Sequence, residues 1–367
     1  MRAAVLFANT DQLEIIDIEH DDPRDREILV ATHAVGLCHS DYHVIDGTLT
    51  RPRPMVPGHE AAGVVVAIGP GVTSVAIGDH VVTCLVMGCR ECAACLAGVP
   101  TQCTRPEATK RAAGLPPRLS LGGKAVGVMS SIGGLAERIL LDERAVVVIP
   151  KSLSFTLAPL LGCAVVTGLG AVVNVARVQP GETVAVIGCG GVGLNVIQGA
   201  RIAGASRVIA VDRNPDKFPL ARQLGATDTI DASASDPVAA LRELVGAGVH
   251  HAFEVVGREA TVQQALDMAA PGERAYLLGI FPDTGTVTLP TTAFRRGKSM
   301  VGVFMGATQP LVDIPRYIDM LSTRQLDLAS MVSSILTLDE VNAGFAAMAR
   351  ADGARTVIRF SPEETQP

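Results

Sequence analysis

Between Thr183 and Asp212 the chain reads as a strand, a glycine-rich turn, a helix and a second strand ending in an acid, and few folds accommodate that order. Thr183-Val-Ala-Val-Ile187 is a short apolar run rich in β-branched residues. Gly188-Cys189-Gly190-Gly191-Val192-Gly193 follows directly and opens a segment of helical length through Ala203. Gly-x-Gly-x-x-Gly is a weak pattern alone. Set between a strand and a helix, with a carboxylate closing the next strand, it is the dinucleotide fingerprint. The glycines let backbone approach a pyrophosphate at a helix N-terminus, and Asp212 is placed to accept hydrogen bonds from adenosine ribose hydroxyls. A carboxylate there repels a 2′-phosphate, so NAD is expected over NADP. Arg213 is either a guanidinium able to tolerate that phosphate or a solvated surface charge.

The same alternation of strand and helix continues at Arg207 to Val211, His251 to Val256, Arg274 to Leu278 and Met300 to Val303, which predicts a parallel sheet with crossover helices over 165–304. The stretch before it differs. Short β-like runs punctuated by Gly and Pro, such as Ile28 to Val35, Gly63 to Ile68, His80 to Cys84 and Ala145 to Ile149, predict a mostly antiparallel β domain over 1–164. Residues 305–367 contain two helical segments, Ile314 to Leu321 and Leu338 to Ala349, and a strand at Arg355 to Phe360, and are expected to complete the first domain. The fold class is therefore α/β, a β domain joined to a doubly wound parallel-sheet (Rossmann) domain. Gly114 to Lys124 reads as a surface loop and Ser361 to Pro367 as a frayed tail.

Composition narrows the partners. A formal charge of −6 with no basic stripe excludes nucleic acid and anionic membrane surfaces. The start, Met1-Arg-Ala-Ala-Val-Leu-Phe7, runs straight into strand-like alternation without the apolar core of an export signal. Apolar runs such as Val184 to Ile187 are strand-sized, so no membrane span is expected. A cytoplasmic location follows, where the eight cysteines stay reduced and serve metals or catalysis before disulfides.

Two groups of ligand-type residues stand out. Cys89-Arg-Glu-Cys92-Ala-Ala-Cys95 with Cys103 gives Cys-x2-Cys-x2-Cys-x7-Cys, a spacing at which four thiolates enclose one tetrahedral zinc and leave no position for substrate. Its role is structural. The second group is dispersed: Cys38, His59 in Gly58-His59-Glu60, and Cys163 in Leu-Gly-Cys163-Ala. Cys₂His with an open fourth position is a catalytic zinc pattern, able to polarise an alcohol oxygen. Taken singly, each is as well read as a buried thiol or a hydrogen-bonded histidine. Asp41 and Glu60 raise the case by offering carboxylates behind the ligands. Cys84 and Cys189 read as small core residues.

These motifs together resemble the zinc-dependent medium-chain alcohol dehydrogenases, of the longer dimeric type, over nearly the whole length. The matching segments are Gly58-His59-Glu60-Ala-Ala-Gly63, the four-cysteine lobe, Gly162-Cys163 with Thr167, the glycine-rich turn, and Phe253-Glu-Val-Val-Gly-Arg258. The resemblance implies a GroES-like first domain, two zinc ions, NAD, a homodimer, and a small alcohol or aldehyde as the only further partner. Carried over by position, Cys38, His59 and Cys163 correspond to the catalytic zinc ligands, with Glu60 behind the metal. Ser40 and His43 correspond to a proton relay. His39 and Arg355 correspond to pyrophosphate contacts, Thr167 and Val192 to neighbours of the nicotinamide, and Lys217 to a neighbour of the adenosine ribose. Substrate-pocket positions that often hold rings carry Leu85 and Leu135 here, with Leu49 and Ile280 nearby, which implies an apolar, roomier pocket. The implied reaction is reversible oxidation of bulky, aromatic or allylic primary alcohols to aldehydes. The nearest alternative is oxidation of a thiol adduct of formaldehyde, whose enzymes in this family carry acidic residues and an Arg where this chain has Thr48, Thr50 and Glu107. A non-catalytic binding protein on the same fold is the remote alternative.

Overall fold

The computed structural model describes residues 1–8 and 10–360, so the expected frayed tail lies outside the described residues. The chain divides into two compact units. One comprises Met1–Cys163, Gln309–Arg316 and the segment from Val332 onward; the other comprises Ala164–Thr308 and Tyr317–Met331.

The first unit is organised by the strand Glu27–Gly36, whose side chains are nearly all buried. It pairs antiparallel with Glu60–Ile68, Arg138–Asp142 and Arg355–Arg359. The register sets Gly36 opposite Glu60 on one side and opposite Val357 on the other. One end of this sheet therefore gathers the residues before Cys38, the residue after His59, and the neighbourhood of Arg355. A second sheet runs in the order Leu13–Asp17, Arg2–Leu6, Met55–Val56, Lys124–Val128, Leu119–Leu121, Glu19–His20. The expected loop over 114–124 is thus partly a hairpin. Leu119 is buried, and Gly122 and Gly123 both take positive φ, as a two-residue turn with the strands' own twist requires.

The second unit contains six parallel strands in the order Asp228–Asp231, Arg207–Asp212, Thr183–Ile187, Val249–Glu254, Ala269–Leu277, Ser299–Gly302. Numbered along the chain this is 3-2-1-4-5-6, the doubly wound arrangement. Residues 317–331 pack here rather than with the first unit. The buried Gln198 amide donates to the Asp327 carbonyl and accepts from its N–H, while Arg201 donates to the Gln325 carbonyl. The segment 317–331 is anchored by these polar contacts, which no periodicity announces.

One helical stretch, Ala158–Ala176, is long and apolar enough to cross a membrane by composition, contrary to the expectation that apolar runs are only strand-sized. Within it 83% of the most apolar window is buried inside the protein, which accounts for its apolarity as core packing.

The glycine-rich turn shows what its spacing is for. The helix Gly191–Ile202 starts against the strand Thr183–Ile187, and a Cβ on Gly193 would lie 1.8 Å from the Gly188 carbonyl oxygen. A Cβ on Gly190 would meet nothing within 4 Å. Gly193→Ala is therefore expected to cost about 1–3 kcal/mol through forced backbone displacement, whereas Gly190→Ala leaves the melting temperature nearly unchanged; thermal melts of the two variants compare them directly.

Candidate metal centre and dinucleotide turn

The strand Glu27–Gly36 delivers the chain through Leu37 to Cys38, which is the N-cap of the short helix His39–Ile45. Cys38 Sγ accepts the Asp41 N–H and the Asp41 carboxylate accepts the Cys38 N–H at 3.2 Å, so the two residues close a capping box. The other Asp41 oxygen accepts from the Gly58 N–H at 2.9 Å and from His59 Nδ1 at 3.0 Å. Asp41 is fully buried. Its bond fixes the His59 tautomer with Nε2 available, and Nε2 lies 3.4 Å from Cys163 Sγ.

Thr83 locks the same region from behind. Its hydroxyl donates to the His59 carbonyl and accepts the Ala61 N–H, both at 2.9 Å. A Cβ on Gly162 would come 2.1 Å from the Thr83 carbonyl oxygen, so the helix bearing Cys163 sits directly on that strand. Cys163 itself occupies a π-helical turn, Leu161–Val165, a local widening frequent at functional sites.

One ligand atom each from Cys38, His59, Glu60 and Cys163 lie within 4.8 Å of one another, and all four residues are buried. Two thiols, an imidazole nitrogen and a carboxylate suit zinc. The 3.4 Å nitrogen-to-sulfur separation is close to the ~3.6 Å edge of a tetrahedron built on zinc–ligand bonds. Glu60 adds a second indication: one oxygen is paired with Arg355 and the other is buried without a hydrogen-bond partner. Gly36 makes room for this pair, since a Cβ there would lie 2.7 Å from Glu60 Oε2.

Electrostatics reflect the crowding. The hydrogen bond from Cys163 holds the Cys38 thiol well below its ordinary range against the effect of burial, and Cys163 is held correspondingly high. Two adjacent thiols do not both ionise unless a cation joins them. Burial opposes charge on His59, but Asp41 outweighs it and favours the protonated ring. Burial also pushes the Glu60 carboxyl up to about 8 despite Arg355. We assign the ionised Glu60–Arg355 pair, because a guanidinium keeps its charge and this one is enclosed beside a single carboxylate.

Ser40 Oγ is 3.6 Å from Cys38 Sγ. It stands one position inside the helix, so the cap belongs to Cys38 and Asp41, not to Ser40. His43 lies three residues further on the same face; its buried Nδ1 has no hydrogen-bond partner and is 3.8 Å from Asp46. His39 is exposed at the first helical position. Arg355, expected at a pyrophosphate, is buried against Glu60, a pairing set by strand register and invisible in sequence. Leu49 and Leu135 are buried and Leu85 is half-buried.

The four-cysteine lobe has the geometry its spacing predicts. Cys89 Sγ and Cys95 Sγ are 3.9 Å apart, and Cys92 Sγ and Cys103 Sγ 4.0 Å. A disulfide requires about 2 Å, whereas the edge of a zinc–thiolate tetrahedron is ~3.8 Å. Backbone N–H groups of Glu91 and Cys92 point at Cys89 Sγ, and those of Cys89 and Arg105 at Cys103 Sγ. Such donors hold Cys92 down at about 5. Cys84 and Cys189, outside both groups, are pushed up to about 12 by burial and are inert core thiols.

In the second unit, Asp212 does more than its position implied. Its carboxylate accepts from the Cys189 N–H at 2.7 Å and the Asn214 N–H at 2.9 Å, and Lys217 Nζ stands 3.4 Å away. The acid thus holds the glycine-rich turn in shape. Arg213 is exposed beside it. Thr167, with its hydroxyl on Met305 Sδ, is brought to Val192 because Gly168 packs against the Val192 carbonyl. Ile280 is 40% exposed.

Comparison with known proteins agrees with these two constellations. Residues 24–151 match the model of the alcohol dehydrogenase GroES-like domain, and residues 191–323 that of the zinc-binding dehydrogenases. Over 366 residues the chain is 34% identical to an S-(hydroxymethyl)glutathione dehydrogenase of Synechocystis, covering 98% of this chain and 99% of that one. Among solved structures, benzyl alcohol dehydrogenase from Acinetobacter calcoaceticus superposes with a TM-score of 0.92 at 29% identity, over 98% of this chain and 99% of that one. A candidate zinc-binding dehydrogenase from Sinorhizobium meliloti, bound to NADP, gives 0.80 at 27% identity over 98% of each chain.

Asp41→Asn tests the role of the buried carboxylate. The amide turns a donor toward the Cys38 N–H and removes the charge facing His59. Zinc affinity at the buried cluster is expected to weaken about 10–100-fold, read by chelator competition, with zinc binding to the four-cysteine lobe unchanged.

Proposed function

The chain belongs to the zinc-dependent medium-chain alcohol dehydrogenase family, and from that premise we propose that it is an NAD-dependent enzyme oxidising bulky, apolar primary alcohols to aldehydes, reversibly. The observation that carries this reading is the meeting of Cys38, His59 and Cys163 beside the Ser40 hydroxyl. Cys38, His59 and Cys163 would hold one zinc ion and Cys89, Cys92, Cys95 and Cys103 another. Zinc at the first site supplies a Lewis acid for an alcohol oxygen, and the nicotinamide supplies the hydride acceptor.

The chain's own residues supply the proton path and the selection. Ser40 takes the hydroxyl proton at Oγ, and His43, one turn along the helix, passes it on through its ring. Glu60 and Arg355 leave the buried cluster with balanced charge. Leu49, Leu85 and Leu135 favour apolar substituents, each further buried methylene contributing about 0.8 kcal/mol. Asp212 disfavours a 2′-phosphate, which supports NAD. The likeness to benzyl alcohol dehydrogenase supports an aromatic alcohol.

A second reading has a specific support: the Synechocystis relative acts, by its name, on S-(hydroxymethyl)glutathione. Thr48, Thr50 and Glu107 weigh against it, since they replace the acids and the Arg that the thiol adduct would meet. Purified protein is expected to carry two zinc ions per chain by elemental analysis, and to give a higher kcat/KM for benzyl alcohol with NAD than for ethanol or with NADP. Turnover of formaldehyde only when glutathione is added, exceeding that of any free alcohol, would establish the second reading instead.

Because Cys38 and Asp41 already cap the helix, Ser40→Ala is expected to leave the melting temperature within a degree or so, as a cap-neutral change at a half-buried position should, and to lower kcat by about 10²-fold. Ser40→Thr retains the hydroxyl and most of the activity. Profiles of kcat against pH beside thermal melts separate a proton relay from a packing role.

A further inference from the structure

The second unit carries a cavity that the reaction above does not use. Its volume is about 430 Å³, and its lining includes Arg242, Asp267, Arg295, Arg296, Lys298 and Pro290. Its place in the fold sets it apart from the glycine-rich turn. The lining residues Gly246 and Ala247 immediately precede the strand Val249–Glu254, and Asp267 immediately precedes the strand Ala269–Leu277. The cavity therefore lies at the N-terminal edge of the parallel sheet, whereas the fingerprint follows the C-terminal end of Thr183–Ile187.

Four cationic side chains surround it against one carboxylate, in a chain whose formal charge is −6. Lys298 Nζ donates to the Leu266 and Asp267 carbonyls, and Arg242 to the Asp267 carbonyl, which satisfies the C-terminus of the helix Glu259–Met268. Carbonyl contacts orient these cations without cancelling their charge. Arg295 and Arg296 make no ion pair among the described residues, and Arg296 is held with φ +69, a conformation uncommon outside glycine. The Asp267 carboxylate accepts from Gln263 and likewise forms no ion pair among the described residues. Burial pushes Lys298 below its ordinary range; Asp267 opposes that shift, and Arg242 and Arg296 add to it.

We propose that this cavity binds a small anion carrying two phosphoryl groups. Guanidinium forks match phosphoryl oxygens bidentately, and four cations less the Asp267 carboxylate leave a net charge of +3 to face two phosphoryl groups. The volume falls within the range of small-molecule sites and exceeds the needs of one phosphate. The site is separate from the cofactor's own pyrophosphate contacts.

The probe is fructose 1,6-bisphosphate, titrated calorimetrically into the full-length zinc-loaded protein saturated with NADH, so that the glycine-rich turn is already occupied. One molecule per chain is expected to bind, at least ~10-fold more tightly than inorganic phosphate. Replacing both arginines, Arg295→Ala with Arg296→Ala, is expected to weaken binding at least ~10-fold with NADH affinity and alcohol turnover unchanged. Asp267→Asn, which removes the opposing charge while preserving the contact with Gln263, is expected to tighten it. Absence of saturable binding to the wild-type protein, or equal affinity in the double variant, overturns the proposal; should the double variant fail to fold, an Asp267→Asn protein that binds no tighter does the same.

Discussion

A single buried carboxylate, Asp41, holds the candidate active centre together. It receives the N–H groups of Cys38 and Gly58 and the His59 ring, tying a helix start, a turn and an imidazole to one charge. A buried anion is costly unless it is fully hydrogen-bonded, and here the donors come from the very segments whose positions matter. Local geometry and site geometry are in this way one problem. The helix His39–Ile45 begins at Cys38, the same residue that joins the candidate metal cluster. That arrangement also leaves the Ser40 hydroxyl free of a capping role.

The two cysteine groups solve different problems with similar ligands. In the lobe, sulfurs near the surface receive backbone N–H groups, which stabilise negative charge before any cation is considered. In the buried cluster the thiols instead lean on one another and on His59, with the Glu60–Arg355 pair behind them. The first environment suits a closed, permanent site. The second gathers ionisable groups in a dry place, where a divalent cation has most effect on its neighbours' ionisation.

Close backbone approach is the other constraint, and it recurs at both centres. The Cys163 helix rests on Thr83 because residue 162 has no side chain, and the helix after the dinucleotide turn rests on Gly188 because residue 193 has none. In each case the missing Cβ converts a sequence position into a distance between elements. The acid Asp212, expected at the adenosine ribose, also bonds back to the turn through the Cys189 N–H.

Much of this was written in short-range pattern. Ligand spacing in the lobe, glycine spacing in the turn, and the alternation of strands and helices depend on residues close together in the chain, so the sequence by itself determined the four-cysteine group, the dinucleotide fingerprint and the two kinds of sheet. The Gly-Gly hairpin after Leu121 is equally local, yet its Pro, Gly and Arg content reads as a surface loop. Tertiary structure alone decided the pairing of Arg355 with Glu60, the attachment of residues 317–331 beside Gln198, and the burial of Ala158–Ala176 within the protein. Those depend on strand register and on contacts between segments more than a hundred residues apart, where a side chain's partner is set by the whole sheet and leaves no mark on its neighbours in the chain.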